Sequence, residues 1–201
     1  MARACQKMYK LSEIFYSIQG EGYYAGVPMI FVRFEGCNQH CWFCDTDPTV
    51  RLTSSLTDLL ERLRSYPRCH TLCLTGGEPL LQVDRELVSQ LTQEGYTLHL
   101  ETNGTLEPSF CFPGWITCSP KIWPLTLKRY NELKWLVGDG KDLWRHSLEE
   151  GPFAAYEYLQ PVWAEDWKQT TQQAIQLVKK YPRFRLGVQL HQLLNVFFNV
   201  K

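Results

Sequence analysis

The sequence predicts an α/β protein built as a partial, open TIM-like barrel of about six parallel strands with few helices. Three observations predict it. Short β-like runs recur along the whole chain. Amphipathic helical stretches separate several of them in the first half, the alternation that builds a parallel sheet. The helices then thin out after Thr102, and 201 residues fall short of the roughly 250 of a closed eight-fold barrel.

The strands come in order. Residues 28–35, 71–75, 96–101, 115–118, 132–137 and 155–159 are rich in β-branched, aromatic and aliphatic side chains. Residues 184–189 close the series, and Gly or Pro bounds several of these runs. Residues 55–66 place Leu56, Leu59, Leu60 and Leu63 on one helical face. Residues 84–94 do the same with Leu87, Val88 and Leu91, and Gly95 supplies a stop. Residues 168–180 align Ala174, Ile175 and Val178, with Pro182 shortly beyond.

No repeat or low-complexity linker divides the chain. It reads as one domain over 1–201, with a C-terminal appendage from about 182. A chain this long buries about 70% of its unfolded surface, so disulfides are not needed to hold a core. Hydrophobic residues make up 44%, and 21 basic residues balance 21 acidic ones. That neutrality disfavours nucleic acid or an anionic membrane surface as partner. No apolar run reaches the ~18 residues of a membrane span, and the N-terminus lacks the apolar core of a signal peptide. The expectation is a cytoplasmic protein. The apolar run from Leu193 to Phe198 is too short to span a bilayer.

Cysteine usage carries the first chemical signal. Three of eight cysteines crowd into residues 37–44, Cys37-Asn38-Gln39-His40-Cys41-Trp42-Phe43-Cys44. In a reducing compartment they are thiols or ligands. The motif follows the strand ending near Phe34, with Gly36 as the turn, and strand C-termini carry the active sites of barrels. Structural zinc wants four closed ligands, and a [4Fe–4S] cluster ordinarily takes four cysteines. Three leave one coordination position open, the mark of a chemical site. The competing reading is a zinc knuckle completed by His40 or a distant cysteine, although His40 sits awkwardly between Cys37 and Cys41 to share their metal. Cys5, Cys69, Cys73, Cys111 and Cys118 have no assigned role; Cys73 and Cys118 lie in strands and read as core.

A second motif, Thr75-Gly76-Gly77-Glu78-Pro79, ends the next strand. Paired glycines let backbone approach a ligand closely. By itself it is equally a strand-to-helix turn. Gly20-Glu21-Gly22-Tyr23-Tyr24-Ala25 also fits a dinucleotide-binding pattern. Pro28 and a strand follow it, where that site needs a helix.

C-x3-C-x2-C with an aromatic, Phe43, before the last cysteine resembles the radical S-adenosylmethionine (SAM) superfamily. The resemblance implies that Cys37, Cys41 and Cys44 hold a [4Fe–4S] cluster whose open iron takes the methionine end of SAM. One electron from the reduced cluster then yields a 5′-deoxyadenosyl radical that abstracts a substrate hydrogen.

Further motifs resemble the 7-carboxy-7-deazaguanine synthase family. They are Ser17–Gly22 (SIQGEG), Phe31–Asn38 (FVRFEGCN), Cys44-Asp45-Thr46, Thr75–Gln82 (TGGEPLLQ), Glu101–Thr105 (ETNGT), Cys118–Lys121 (CSPK) and Leu159-Gln160-Pro161. Seven motifs in one order cover most of the chain. The family converts 6-carboxy-5,6,7,8-tetrahydropterin to 7-carboxy-7-deazaguanine with loss of ammonia, on the route to queuosine, and requires Mg²⁺.

Carried onto these positions, the resemblance implies that Ile18, Gln19, Gly20, Arg33 and Thr75 bind substrate, with Arg33 opposite its carboxylate. It implies that Phe43, Asp45, Gly77, Ser119, Pro120, Lys121 and Gln160 contact SAM. Thr46 offers Mg²⁺ a hard hydroxyl oxygen. A flavodoxin or ferredoxin as electron donor and a homodimer are also implied. The family's H-K-Y-x-G-I ending departs here to His191-Gln192-Leu193-Leu194-Asn195-Val196, so no C-terminal substrate contact is carried over. Another small radical SAM enzyme, such as a glycyl-radical-enzyme activase, shares the cysteine triad and the Gly-Gly-Glu-Pro segment. Gln19-Gly20-Glu21, Arg33 and Thr46 separate the two, because a carboxylated pterin needs them and a protein substrate does not.

Overall fold

The computed structural model describes residues 7–46, 49, 51–151 and 153–194. Cys5 and the C-terminal stretch from 195 lie outside the described residues.

Nine strands form one sheet: β1 (Met8–Ile18), β2 (Pro28–Phe34), β3 (Leu52–Ser55), β4 (Thr71–Gly76), β5 (Thr97–Thr102), β6 (Trp115–Cys118), β7 (Glu132–Val137), β8 (Tyr156–Pro161) and β9 (Arg185–Leu186). Their spatial order is β3-β1-β2-β4-β5-β6-β7-β8-β9. From β2 to β9 every neighbouring pair is parallel. β1 and β3 add an antiparallel edge. The sheet is open, and each strand expected from sequence is present. β9 shrinks to two residues.

The two antiparallel strands were not expected, and β1 shows why. Its register against β2 shifts between Leu11 and Glu13. This bulge breaks the two-residue period. Leu11 thus joins the main core while Phe15, an even number of residues later, faces the other side and stacks on Phe31.

Five α-helices accompany the sheet: α1 (Leu56–Leu63), α2 (Arg85–Gln93), α3 (Trp144–Glu150), α4 (Trp167–Lys180) and α5 (Leu190–Leu194). Ser55 and Asp58 close a capping box on α1, and Asp84 caps α2 through the Leu87 N–H. Both offset the unmet N–H groups of a helix start. α3 and α5 are short and carry no long apolar stripe in sequence. No helix among the described residues is long and apolar enough to cross a membrane.

The sheet's two faces differ in chemistry. One carries Ile30, Val32 and Phe34 of β2, Leu72 and Leu74 of β4, Leu98 and Leu100 of β5, and Leu133, Trp135 and Val137 of β7. Leu59 and Leu63 of α1, Leu87 and Leu91 of α2, Trp144 of α3 and Ala174 of α4 pack in the same core. The alternate residues point the other way and are largely polar: Arg33, Thr75, His99, Glu101, Thr117, Glu132, Lys134 and Gln160. Burying both faces makes β7 buried along its whole length.

Leu74, fully buried on β4, tests this division. Leu74→Ala is expected to lower unfolding free energy by about 2–5 kcal/mol, read by denaturant titration, without altering the polar face.

Candidate active site

The chain leaves β2 through Gly36, whose φ of +87° lies where a side chain is strained. Cys37, Cys41 and Cys44 follow, and all three line one cavity of about 630 Å³. That volume suits a small-molecule site. A turn bonds the Cys44 N–H to the Cys41 carbonyl at 3.2 Å. The Gln39 N–H donates to Cys37 Sγ at 3.4 Å. Burial raises the Cys41 thiol above its ordinary range, Lys121 opposes this, and Cys44 and Cys37 add to it. Among the described residues, no three His, Cys, Asp or Glu side chains are placed to hold one ion. Three thiols on one cavity rim are the donor set that a cluster takes, each cysteine binding a different iron.

β4 brings the second wall. A Cβ at Gly77 would overlap the Gly36 carbonyl oxygen and crowd the Cys37 side chain. Its absence lets the two strand exits touch, through Gly77 N–H to Phe34 O at 3.1 Å and Glu78 N–H to Gly36 O at 2.8 Å. Glu78 is fully buried. It accepts from Thr102 Oγ1 at 2.9 Å, the Asn103 N–H at 2.8 Å and the Leu80 N–H at 3.0 Å. Burial raises its carboxyl, with these bonds pulling the other way.

The far wall comes from β6 and β8. Ser119, Lys121 and Gln160 line the cavity. Lys121 donates to Ser119 Oγ at 3.0 Å and lies 5.7 Å from the Phe43 ring centre. Burial lowers its ammonium. Gln160 is buried with neither amide atom partnered. A buried unmet amide is costly, so these atoms suit a polar ligand. Pro120 is buried next to Ser119 but outside the lining.

The remaining expected positions divide. Phe43, Asp45, Thr46, Thr75 and Gly77 line the cavity; Ile18, Gln19, Gly20 and Arg33 are outside its lining. Arg33 Nε donates to Glu13 at 2.8 Å, and its Nη1 to Thr46 Oγ1 at 3.5 Å. Gln19 is buried and donates to Glu101 at 3.1 Å. Gly20 accepts from the Leu190 N–H at 2.9 Å and abuts the His191 ring. Ile18 ends β1 opposite Pro28.

Sequence reading missed a buried charge network at this wall. Lys134 Nζ donates to Glu21 at 2.6 Å and to Glu101 at 2.7 Å. Gln189 Nε2 donates to Glu21 at 2.8 Å. Glu21, Glu101 and Gln189 all line the cavity. Glu101 sits inside an expected motif, but a charge within a strand run gives no sign of its partners. One lysine cannot neutralise two carboxylates. Burial would raise Glu21, but Lys134 and Gln189 together hold it down at about 2. Burial raises Glu101 to about 7, with Glu21 adding to the rise and Lys134 opposing it. Burial opposes the Lys134 charge, yet both glutamates hold its ammonium well above the usual range.

A carboxyl raised by folding contributes stability below its unfolded pKa and loses it as pH rises through its folded value. Wild-type melting temperature is therefore expected to fall between about pH 5 and about pH 8. Glu101→Gln, which mimics the protonated form, is expected to flatten that slope in calorimetry.

Comparison with known proteins agrees with this geometry. The model of the radical SAM superfamily matches residues 31–113, from β2 to beyond β5. The 7-carboxy-7-deazaguanine synthase of Bacteroides thetaiotaomicron is 38% identical over 190 residues, covering 94% of this chain and 99% of that protein. The synthase of Burkholderia multivorans is 34% identical, with the same coverage. The crystal structure of QueE from Escherichia coli aligns with a TM-score of 0.74 at 28% identity, over 92% of this chain and 95% of that one. Three thiols on one cavity rim, glycines sealing the adjacent strand exit and full-length relatives of one name agree: the chain belongs to the 7-carboxy-7-deazaguanine synthase family of radical SAM enzymes.

Proposed function

We propose that this enzyme is a lyase converting 6-carboxy-5,6,7,8-tetrahydropterin to 7-carboxy-7-deazaguanine with loss of ammonia, in queuosine biosynthesis. One observation carries the residue-level reading: a single cavity joins the three-cysteine rim to a wall of buried carboxylates and amides. Cys37, Cys41 and Cys44 hold the [4Fe–4S] cluster. When bound, it supplies an electron to SAM. Phe43, Asp45, Gly77, Ser119, Pro120, Lys121 and Gln160 form the SAM side, where the unmet Gln160 amide gives a donor and an acceptor.

Ile18, Gln19, Gly20, Arg33 and Thr75 form the substrate side. Gln19 acts by fixing Glu101. Glu21, Glu101 and Gln189 then present acceptors to the N–H edge of a pterin. Glu13 holds Arg33 Nε while Nη1 reaches Thr46, and the guanidinium faces the substrate carboxylate. Thr46 serves Mg²⁺. Its hydroxyl lies beside the Arg33 cation, so a metal there calls for a carboxylate between the two positive charges. The substrate carries one.

A flavodoxin or ferredoxin as electron donor, a homodimer and a cytoplasmic location belong to the same proposal. A glycyl-radical-enzyme activase is set aside, since the full-length relatives carry the synthase name.

Reduced anaerobic protein given SAM, Mg²⁺ and the carboxytetrahydropterin is expected to form the deazaguanine. Release of 5′-deoxyadenosine without that product would reject the substrate and keep the radical chemistry. Arg33→Ala is expected to raise KM roughly tenfold or more. Thr46→Ala is expected to weaken the Mg²⁺ dependence of kcat, and an unchanged Mg²⁺ titration would remove the metal from Thr46.

A further inference from the structure

Beyond the ligands themselves, the three cysteine sulfurs do not share one environment. Cys37 Sγ faces two N–H donors: the Gln39 backbone at 3.4 Å and Asn103 Nδ2 at 3.9 Å. Asn103 comes from the far end of β5, across β4, and is buried.

Its amide cannot turn freely. Asn103 Oδ1 accepts from the Thr105 N–H at 2.9 Å and from Thr105 Oγ1 at 2.6 Å. That fixes Oδ1 toward Thr105 and Nδ2 toward the cluster loop, where it also donates to Asn38 Oδ1 at 2.9 Å. Asn38 Nδ2 donates back to Thr105 Oγ1 at 2.8 Å. The backbone N–H of Asn103 is held by Glu78. Three segments thus aim one N–H bond at one sulfur: the cluster loop, the Gly-Gly-Glu-Pro turn and the exit of β5.

We propose that Asn103 tunes the reduction potential of the iron–sulfur cluster by donating its side-chain N–H to the Cys37 sulfur. The inference rests on the reading that Cys37, Cys41 and Cys44 hold that cluster. Reduction adds negative charge, which delocalises onto the thiolate sulfurs. A donor aimed at a sulfur stabilises the reduced form more than the oxidised one and raises the potential. Asn103 also lines the cavity, and in this role it acts through Cys37 as a positioning residue.

The test is an anaerobic redox titration of the reconstituted protein, followed by electron paramagnetic resonance of the reduced cluster. Iron and sulfide analysis comes first. Wild type without about four irons per chain would sink the cluster reading itself, apart from any tuning. With the cluster loaded, Asn103→Ser keeps the backbone bond to Glu78 but withdraws the donor from the sulfur. Its reduction equilibrium is expected to weaken roughly threefold to tenfold, a fall of about 30–60 mV. Asn103→Asp keeps the Thr105 contacts and adds charge, so its potential is expected to fall further. Thr105→Val loosens the amide without approaching the sulfur, and a smaller fall is expected. A cluster-loaded Asn103→Ser protein with the wild-type potential would overturn the proposal. Should that variant fail to load, an unchanged potential in Thr105→Val would overturn it equally. A purely structural role would lower melting temperature and leave the potential in place.

Discussion

The site depends on the chain after β4 lying directly against the chain after β2. Gly36 turns the backbone through a conformation that a side chain would strain, and Gly77 leaves no Cβ between the two segments. Two backbone hydrogen bonds then join them. This contact sets the distance between the cysteine loop and every other wall of the cavity. The buried Glu78 carboxylate extends it to a third strand by capturing Thr102 and the Asn103 N–H at the end of β5. A carboxyl in such a place is costly unless bonded, and three donors meet that demand: the Thr102 hydroxyl and the N–H groups of Leu80 and Asn103. Three parallel strand ends are thereby locked at one height.

The polar face of the sheet presents the opposite energetic case. Glu21, Glu101 and Lys134 are buried together, and replacing such a group with packed apolar side chains often costs nothing or stabilises. Stability alone does not account for an interior of this kind. Its cost is carried by the helix-covered face, where an unbroken layer of Leu, Ile, Val, Phe and Trp packs without charged neighbours over most of its extent. Glu157 is the exception there. It is satisfied by Trp135 Nε1 at 3.1 Å, the Phe153 N–H at 2.6 Å and Ser147. One side of the sheet holds the fold, which leaves the other free to carry chemistry.

Much of this was legible in the sequence, for reasons that are local. The parallel strands are apolar runs bounded by turn residues, and the cysteine loop is a spacing. β1 was not legible, because its bulge reverses which residues face the core halfway along. The Lys134 network was not legible either. Glu21 and Lys134 are 113 residues apart, and Glu21 and Gln189 are 168 apart; only the topology brings them together. Lys134 also sits between Leu133 and Trp135 in a strand buried on both faces, where an isolated charge says nothing about its partner. Arg33 was legible as a cation in an apolar strand, but its pairing with Glu13 across the bulge was not.

The same network fixes what the cavity offers a ligand. Among the described residues, five buried side-chain atoms lack a hydrogen-bond partner, and three belong to Gln160 and Gln189 on the cavity wall. Glu21 is held ionised by Lys134, so it can only accept. Gln189 must therefore turn Nε2 toward it, and Oε1 is left as the unmet acceptor. A flipped amide would set two acceptors against each other at 2.8 Å. Glu101, raised by burial and by Glu21, accepts from Gln19 and from the same lysine. Glu21, Glu101 and Gln189 thus offer acceptors along the lining, while Lys121 offers a cation and Gln160 an unmet amide. A ligand donor-rich at one end and anionic at the other matches both sets of groups.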